Sequence, residues 1–153
     1  MAHRIRVLSE KDVHMALDMH QAIDAMSYAF SQLSSGALTM PVRMVSDFDN
    51  TILFCKPAAS KSDHTIGVKI LTQVASNREL AMPVIQGLIL LADYHDGRFL
   101  ALMDGTSITA LRTGAASGLA TRLLSREDAK VAAIFGAGAQ GRTQLSAICA
   151  VRN

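Results

Sequence analysis

Cysteine is scarce: Cys55 and Cys149 are the only two in 153 residues. They lie far apart and no secretory leader is read ahead of the first helix, which points to a reduced, cytoplasmic setting rather than a disulfide-stapled secreted fold. Long apolar runs are missing too. The longest, around Leu88 to Ala92, is far short of the roughly 20 residues of a membrane span, so no membrane is expected and the run reads as a buried strand. Charge of one sign is not concentrated: the net charge is +2, with Lys and Arg scattered and no basic stripe for nucleic acid. The histidines His3, His14, His20, His64 and His95 lack metal-ligand spacing and read as solvated or capping residues, so no metal is expected. What is present is an ordinary globular composition, 50% hydrophobic and 18% charged. A chain of this length can bury one good core, withdrawing about 68–70% of its unfolded surface from water.

The most telling stretch lies late in the chain. Val131-Ala132-Ala133-Ile134-Phe135 predicts a buried strand, and it opens directly into Gly136-Ala137-Gly138-Ala139-Gln140-Gly141. Such spacing between strand and helix is a dinucleotide fingerprint. The first glycine permits the tight turn, the second admits backbone amides to a pyrophosphate, and the third lets helix pack on strand. The phosphates then face the free amides of a helix N-terminus. A complete mononucleotide unit needs a further strand and an acidic ribose contact about 20 residues past the glycines. Only its first strand and helix precede Asn153, so the sequence reads as the front half of a longer protein.

Upstream, Ile5 to Leu8 predicts a short strand and Ser9-Glu10-Lys11-Asp12 a capping box. Asp18 caps a longer helix in which Met19, Ile23, Met26, Phe30 and Leu33 recur at helical spacing, and Gly36 ends it. That stripe reads as core packing rather than a ligand pocket. Strands follow at Val42 to Asp47, Thr51 to Lys56, Thr65 to Val74, Val84 to Asp93 and Arg98 to Met103, with turns at Phe48-Asp49-Asn50 and Asp96-Gly97. No linker divides them and no repeat is visible. The expected class is α+β: an antiparallel sheet with N-terminal helices on one face, followed by the first strand and helix of a truncated Rossmann-type α/β domain.

Three cations stand out. In the third strand Ile66, Val68 and Ile70 point one way while Gly67, Lys69 and Leu71 point the other. Lys69 is either a solvated strand lysine or a side chain held beside a glycine that leaves room for a ligand. Arg43, alternating with Val42 and Met44, carries the same ambiguity. Ser107 or Thr109 is the expected N-cap of the helix after Asp104-Gly105, which puts Arg112 in its first turn. There it opposes the helix dipole unless an anion binds between it and the hydroxyls of Thr109 and Thr113. The other reading is a surface pair with Asp104.

Taken in order, Pro41-Val42-Arg43, Gly67-Val68-Lys69, Asp93 to Gly97, Asp104-Gly105 leading to Thr109-Ala110-Leu111-Arg112-Thr113, and Gly136-Ala137-Gly138-Ala139-Gln140 resemble the ornithine cyclodeaminase and mu-crystallin family. The resemblance covers nearly the whole chain, as the N-terminal half of such a protein. It implies a homodimer joined through the sheet domains, NAD or NADP as cofactor, and a small amino or imino acid as substrate. The chemistry implied is ornithine cyclodeamination, cyclic ketimine reduction or alanine oxidation. Residues 1–108 then form the substrate-binding and dimerisation domain, 109–125 a connecting helix, and 126–153 the start of the dinucleotide-binding domain.

Residue by residue, the resemblance implies that Arg43, Lys69 and Arg112 hold the substrate carboxylate. Arg112 and Thr113 lie beside the cofactor, and Gly136, Gly138, Ala139, Gln140 and Gly141 carry its pyrophosphate. Lys69 assists proton transfer if neighbouring cations lower its pKa. Two departures turn the expectation away from ornithine: the family's cyclodeaminases carry a glutamate where Phe54 stands and usually a methionine where Lys56 stands. An apolar Phe54 is a poor partner for a distal ammonium, so a smaller or cyclic substrate is implied. The family's catalytic aspartate falls beyond the residues present, so this stretch alone is expected to be inactive. The alternatives are a mu-crystallin-like protein that binds nucleotide and small ligands without turnover, and a dimerising sheet module with no ligand.

Overall fold

The computed structural model describes residues 4–152. It opens with β1 (Arg6–Leu8), α1 (Glu10–Ala16) and α2 (Met19–Ser34). Both helices start on reciprocal caps: Ser9 and Asp12 each accept the other's backbone N–H, and Asp18 and Gln21 do the same, satisfying donors that a helix start leaves free. Gly36, at φ +76°, carries the chain out of α2 in the left-handed region.

Six further strands follow: β2 (Leu38–Thr39), β3 (Met44–Phe48), β4 (Thr51–Ser60), β5 (Thr65–Gln73), β6 (Ile85–Asp93) and β7 (Phe99–Asp104). The described residues form one seven-stranded sheet in the order β1-β7-β6-β5-β4-β2, with β3 also on β4. The hairpins are antiparallel, as short turns require, while β1 joins β7 in parallel. Most boundaries fall within one residue of expectation, and two differ by more. The strand predicted from Val42 begins at Met44, leaving Arg43 just ahead of it. β4 runs on to Ser60 through Pro57. It does so because Pro57 lies between the rungs to β3, which end at Cys55, and those to β2, which begin at Ala59. β4 has one neighbour there, and a missing N–H is tolerated.

From β7 the chain enters α3 (Gly105–Leu124), and α4 (Ala139–Val151) closes the described fold. Ala22 and Ile23 of α2, Leu111, Ala115 and Leu119 of α3, and Ala147 of α4 form the buried core. The small residues of α3 let α4 approach almost backbone to backbone: a Cβ on Gly114 would stand 2.5 Å from the Thr143 carbonyl oxygen, and one on Gly118 would stand 2.9 Å from Ala147 Cβ. Only part of the α2 stripe joins this core. Ile23 is buried and Met19 and Met26 pack against the cluster, whereas Phe30 and Leu33 are exposed, because α3 and α4 meet α2 through its first half.

The run Val131 to Phe135 is not a strand. Val131 and Phe135 are 93% and 98% exposed, a correction to the expected buried strand. A strand of a parallel unit is held by hydrogen-bonded neighbours on the sheet, and no described strand pairs with this run. The expected strand-and-helix opening of a Rossmann-type unit is therefore represented here by α4 alone, packed on α3.

The two sheet faces differ. On one, a Cβ at Gly105 would meet the Gly87 backbone at 2.8 Å, and the Gly87 N–H donates to Thr106 Oγ1 at 3.1 Å, so the start of α3 sits on β6. On the other, Met44, Cys55, Ile70 and Leu88 line up across four strands. Met44, Ile70 and Leu88 in that row are about half exposed.

Candidate functional site

Lys69 occupies the middle of β5 on the α3-covered face, directly opposite Lys56 of β4 and Ile89 of β6. Two residues from Lys56 on the same face of β4, Phe54 is a platform for two cations. Arg43 Cζ lies 5.7 Å and Lys56 Nζ 5.4 Å from its ring centroid, within cation–π range. Partial burial, then the positive charges of Arg112 and Lys56, push the Lys69 ammonium down to about 8 from 10.5. Lys56 is lowered by burial and by Arg43 and Arg112. Arg43 and Arg112 thus act on Lys56, and Arg112 and Lys56 act on Lys69, across one corner of the sheet. Among the described residues, none of the four lies within ion-pair distance of a carboxylate.

The cap of α3 is Asp104, not Ser107 or Thr109. Asp104 Oδ1 accepts from the Ser107 N–H at 2.7 Å and from its hydroxyl. Arg112 therefore falls eight residues into the helix, in its third turn, beyond the reach of the terminal dipole. With Asp104 engaged at the cap, the surface pair with Arg112 does not form. Arg112 instead stands exposed above the lysines. Thr113 donates its hydroxyl to the Thr109 carbonyl oxygen at 2.7 Å, so that proton is spent within the helix.

The glycine turn has the local geometry expected of it even without its strand. Gly136 takes φ +98°, a conformation for which glycine is suited. Gly138 is the N-cap of α4 with no side-chain bond to the first-turn amides, leaving them free. A Cβ at Gly141 would lie 2.2 Å from the Gly136 carbonyl oxygen, whereas one at Gly138 would meet nothing within 4 Å. Space is thus open where a phosphate would approach. A cleft of about 460 Å³ runs between this turn and α3, lined by Thr106, Thr109, Ala110, Phe135, Ala139 and Gln140 among others. Thr109 Oγ1 and Gln140 Oε1 are buried there with no partner. Buried polar atoms seldom stay unpaired, and these two belong to residues that line one cleft.

Arg43, Lys69 and Arg112 are therefore brought together, and Gly136, Gly138, Ala139, Gln140 and Gly141 form a second group. Thr109 and Arg112, one turn apart on α3, link the two. Lys56 was absent from the expected site. Its place was readable in the hairpin, because closing β4 on β5 across residues 61–64 sets 56 opposite 69. Elsewhere, His64 Nδ1 and His95 Nε2 hydrogen-bond to each other at 2.8 Å, and His3 lies outside the described residues.

Fold and site together define a class: a sheet with a corner of four cations, joined through a slender helix to a glycine turn that leaves the first amides of α4 without a side-chain cap. The chain belongs to the ornithine cyclodeaminase/mu-crystallin family, whose profile matches residues 4–153. It is 34% identical over 150 residues to a Delta(1)-pyrroline-2-carboxylate reductase of Bacillus cereus, an alignment covering 96% of this chain and 46% of that protein. The Delta(1)-pyrroline-2-carboxylate reductase of Thermococcus litoralis, solved with NADH and L-proline, superposes with a TM-score of 0.93 at 39% identity, over 97% of this chain and 47% of that one. An archaeal alanine dehydrogenase dimer with bound NAD gives a TM-score of 0.90 at 31% identity, over 96% and 45%. The chain thus spans about half the length of the relatives it matches.

Proposed function

We propose that this chain is the substrate-holding part, with the leading glycine turn, of an NAD(P)-dependent oxidoreductase acting on an amino acid or the imine derived from it. The observation that carries the reading is the convergence of Arg43, Lys69 and Arg112 on one sheet corner with no carboxylate among the described residues to neutralise them. A small acid supplies the missing charge, and fixing its carboxylate orients the adjacent carbon and nitrogen for reaction. The relatives named for imine reduction and for alanine oxidation support that chemistry.

The cleft beside α4 fits a dinucleotide: Gly136 makes the turn, Gly138 leaves room for a phosphate, and the free amides at Ala139 and Gln140 receive it. When bound, the nicotinamide supplies a hydride to the imine carbon, or takes one in the reverse direction. Reduction also needs one proton at nitrogen, so that a C=N bond plus hydride plus proton gives the amine. Lys69, with its pKa at about 8, holds a proton near neutrality and can release it.

Ornithine is disfavoured by the same charges. Its distal ammonium would enter a corner that already holds four cations and an apolar Phe54. The half-exposed row of Met44, Ile70 and Leu88 supports a homodimer closed across that sheet face, as does the dimeric alanine dehydrogenase neighbour.

The test is oxidation of NADH or NADPH by the protein carrying this chain, with Delta(1)-pyrroline-2-carboxylate and with pyruvate plus ammonium. Consumption of nucleotide in step with amine formation is expected. Tight nucleotide binding without turnover of any α-imino acid contradicts the reading and favours the binding-protein alternative.

A further inference from the structure

Resting on the reading just given, we infer that Lys56 is a positioning residue that acts through Lys69. Held on the Phe54 ring, its charge keeps the Lys69 ammonium ready to release a proton once the substrate carboxylate is bound.

The register puts the two side chains together. Lys56 of β4 stands directly opposite Lys69 of β5 on the α3-covered face, where facing side chains start about 5 Å apart. A lysine opposed by a like charge can swing its long stem out to water. Lys56 is retained instead: it is only partly exposed, and its Nζ lies 5.4 Å from the centroid of the Phe54 ring, within cation–π range. The other elements around Lys69 bring Arg112 of α3, which acts on it by charge, and the uncharged Ile89 of β6. Arg43, just ahead of β3, acts on Lys56. No carboxylate among the described residues lies within ion-pair distance of any of these cations.

A bound substrate changes the balance. Its carboxylate favours the charged form of Lys69 and so works against proton release. Arg43 and Arg112 are engaged with that same carboxylate and largely neutralised by it. Lys56 has no such partner, so its charge persists beside Lys69. In imine reduction Lys69 loses one N–H proton to the substrate nitrogen as hydride reaches the adjacent carbon, and the neutral amine left behind regains a proton from water. A second positive charge across the ladder favours that release, and the partial burial of both lysines strengthens its effect.

The experiment follows reduction of Delta(1)-pyrroline-2-carboxylate against pH by the protein carrying this chain. In Lys56→Met the alkaline limb of the kcat profile is expected to move up by about one pH unit. At neutral pH kcat should be about threefold lower, with KM changed by less than about twofold. Lys56→Arg, which keeps the charge, should restore the parent profile. Side-chain NMR of Lys69 without substrate should show the same upward shift in Lys56→Met, a readout that a merely structural role would not move and that does not depend on turnover. A limb and a Lys69 titration left in place by Lys56→Met overturn the inference. A raised KM with an unmoved limb also overturns it, by making Lys56 a substrate contact. Both outcomes leave the oxidoreductase reading intact, whereas turnover of no α-imino acid overturns that reading and this inference with it.

Discussion

Lys56 and Lys69 face each other directly across the β4–β5 ladder, and the lowered pKa of each counts the other or its arginine neighbours among its causes. A fold that served only itself would separate such charges or pair them with acids. The first consequence concerns stability. Lys69 releases its proton near 8 when folded and near 10.5 when unfolded, so between those values the unfolded chain binds more protons. Stability therefore rises with pH across that window, and below it the charged lysine is a standing penalty. Lys69→Met should stabilise the chain by about 1–2 kcal/mol at neutral pH, after discounting for remaining solvent contact. The gain should shrink as pH climbs toward 10.5. Urea melts at the two ends of the window check it, and a variant less stable than its parent at neutral pH contradicts it.

The same proton should govern turnover. In the direction of imine reduction, kcat/KM should decline as pH rises through about 8, since the acid form of Lys69 is then depleted. A profile level to about pH 10 would remove Lys69 from proton transfer.

Arg112→Ala separates binding from folding. Its side chain is exposed and makes no ion pair among the described residues, so stability should change by less than about 0.5 kcal/mol. Activity should fall about a hundredfold in kcat/KM, as expected when a charge-assisted contact to the substrate carboxylate is lost. The Lys69 pKa should also move upward once that positive neighbour is gone, which side-chain NMR can read. Unchanged kinetics with an unchanged Lys69 titration would sink the assignment.

Two glycines make opposite predictions. Gly114→Ala drives a methyl toward the Thr143 carbonyl and should destabilise by about 1–3 kcal/mol through overpacking. Gly138→Ala meets open space and should leave the melting temperature nearly unchanged while weakening NAD(P)H binding. Calorimetry on both variants, with nucleotide titration on the second, tests the contrast. Equal loss of stability at the two positions contradicts it.

Much of this fold is legible in the sequence. Ser9, Asp18 and Gly36 announced their caps because capping is decided within four residues. The alternation around Lys69 fixed its face because strand geometry has period two. The observed start of α3 differs from the expected one because Asp104, Ser107 and Thr109 compete as caps within one short stretch, and Asp104 wins through a bond to Ser107 that spacing alone does not rank above the others. The run from Val131 to Phe135 has strand composition, yet a strand exists only with neighbours, and hydrogen-bonding partners are not a local property. Alternation within β5 places Lys69 but not its neighbour, because the pairing with Lys56 is set by the register between two strands.

The central claim is that a substrate carboxylate sits among Arg43, Lys69 and Arg112. A crystal structure of the protein with a bound α-imino acid or its amine product measures this directly. Carboxylate oxygens are expected within hydrogen-bond distance of Lys69 Nζ and of at least one of the two guanidinium groups. A carboxylate bound elsewhere, with those three side chains turned to solvent, would contradict it.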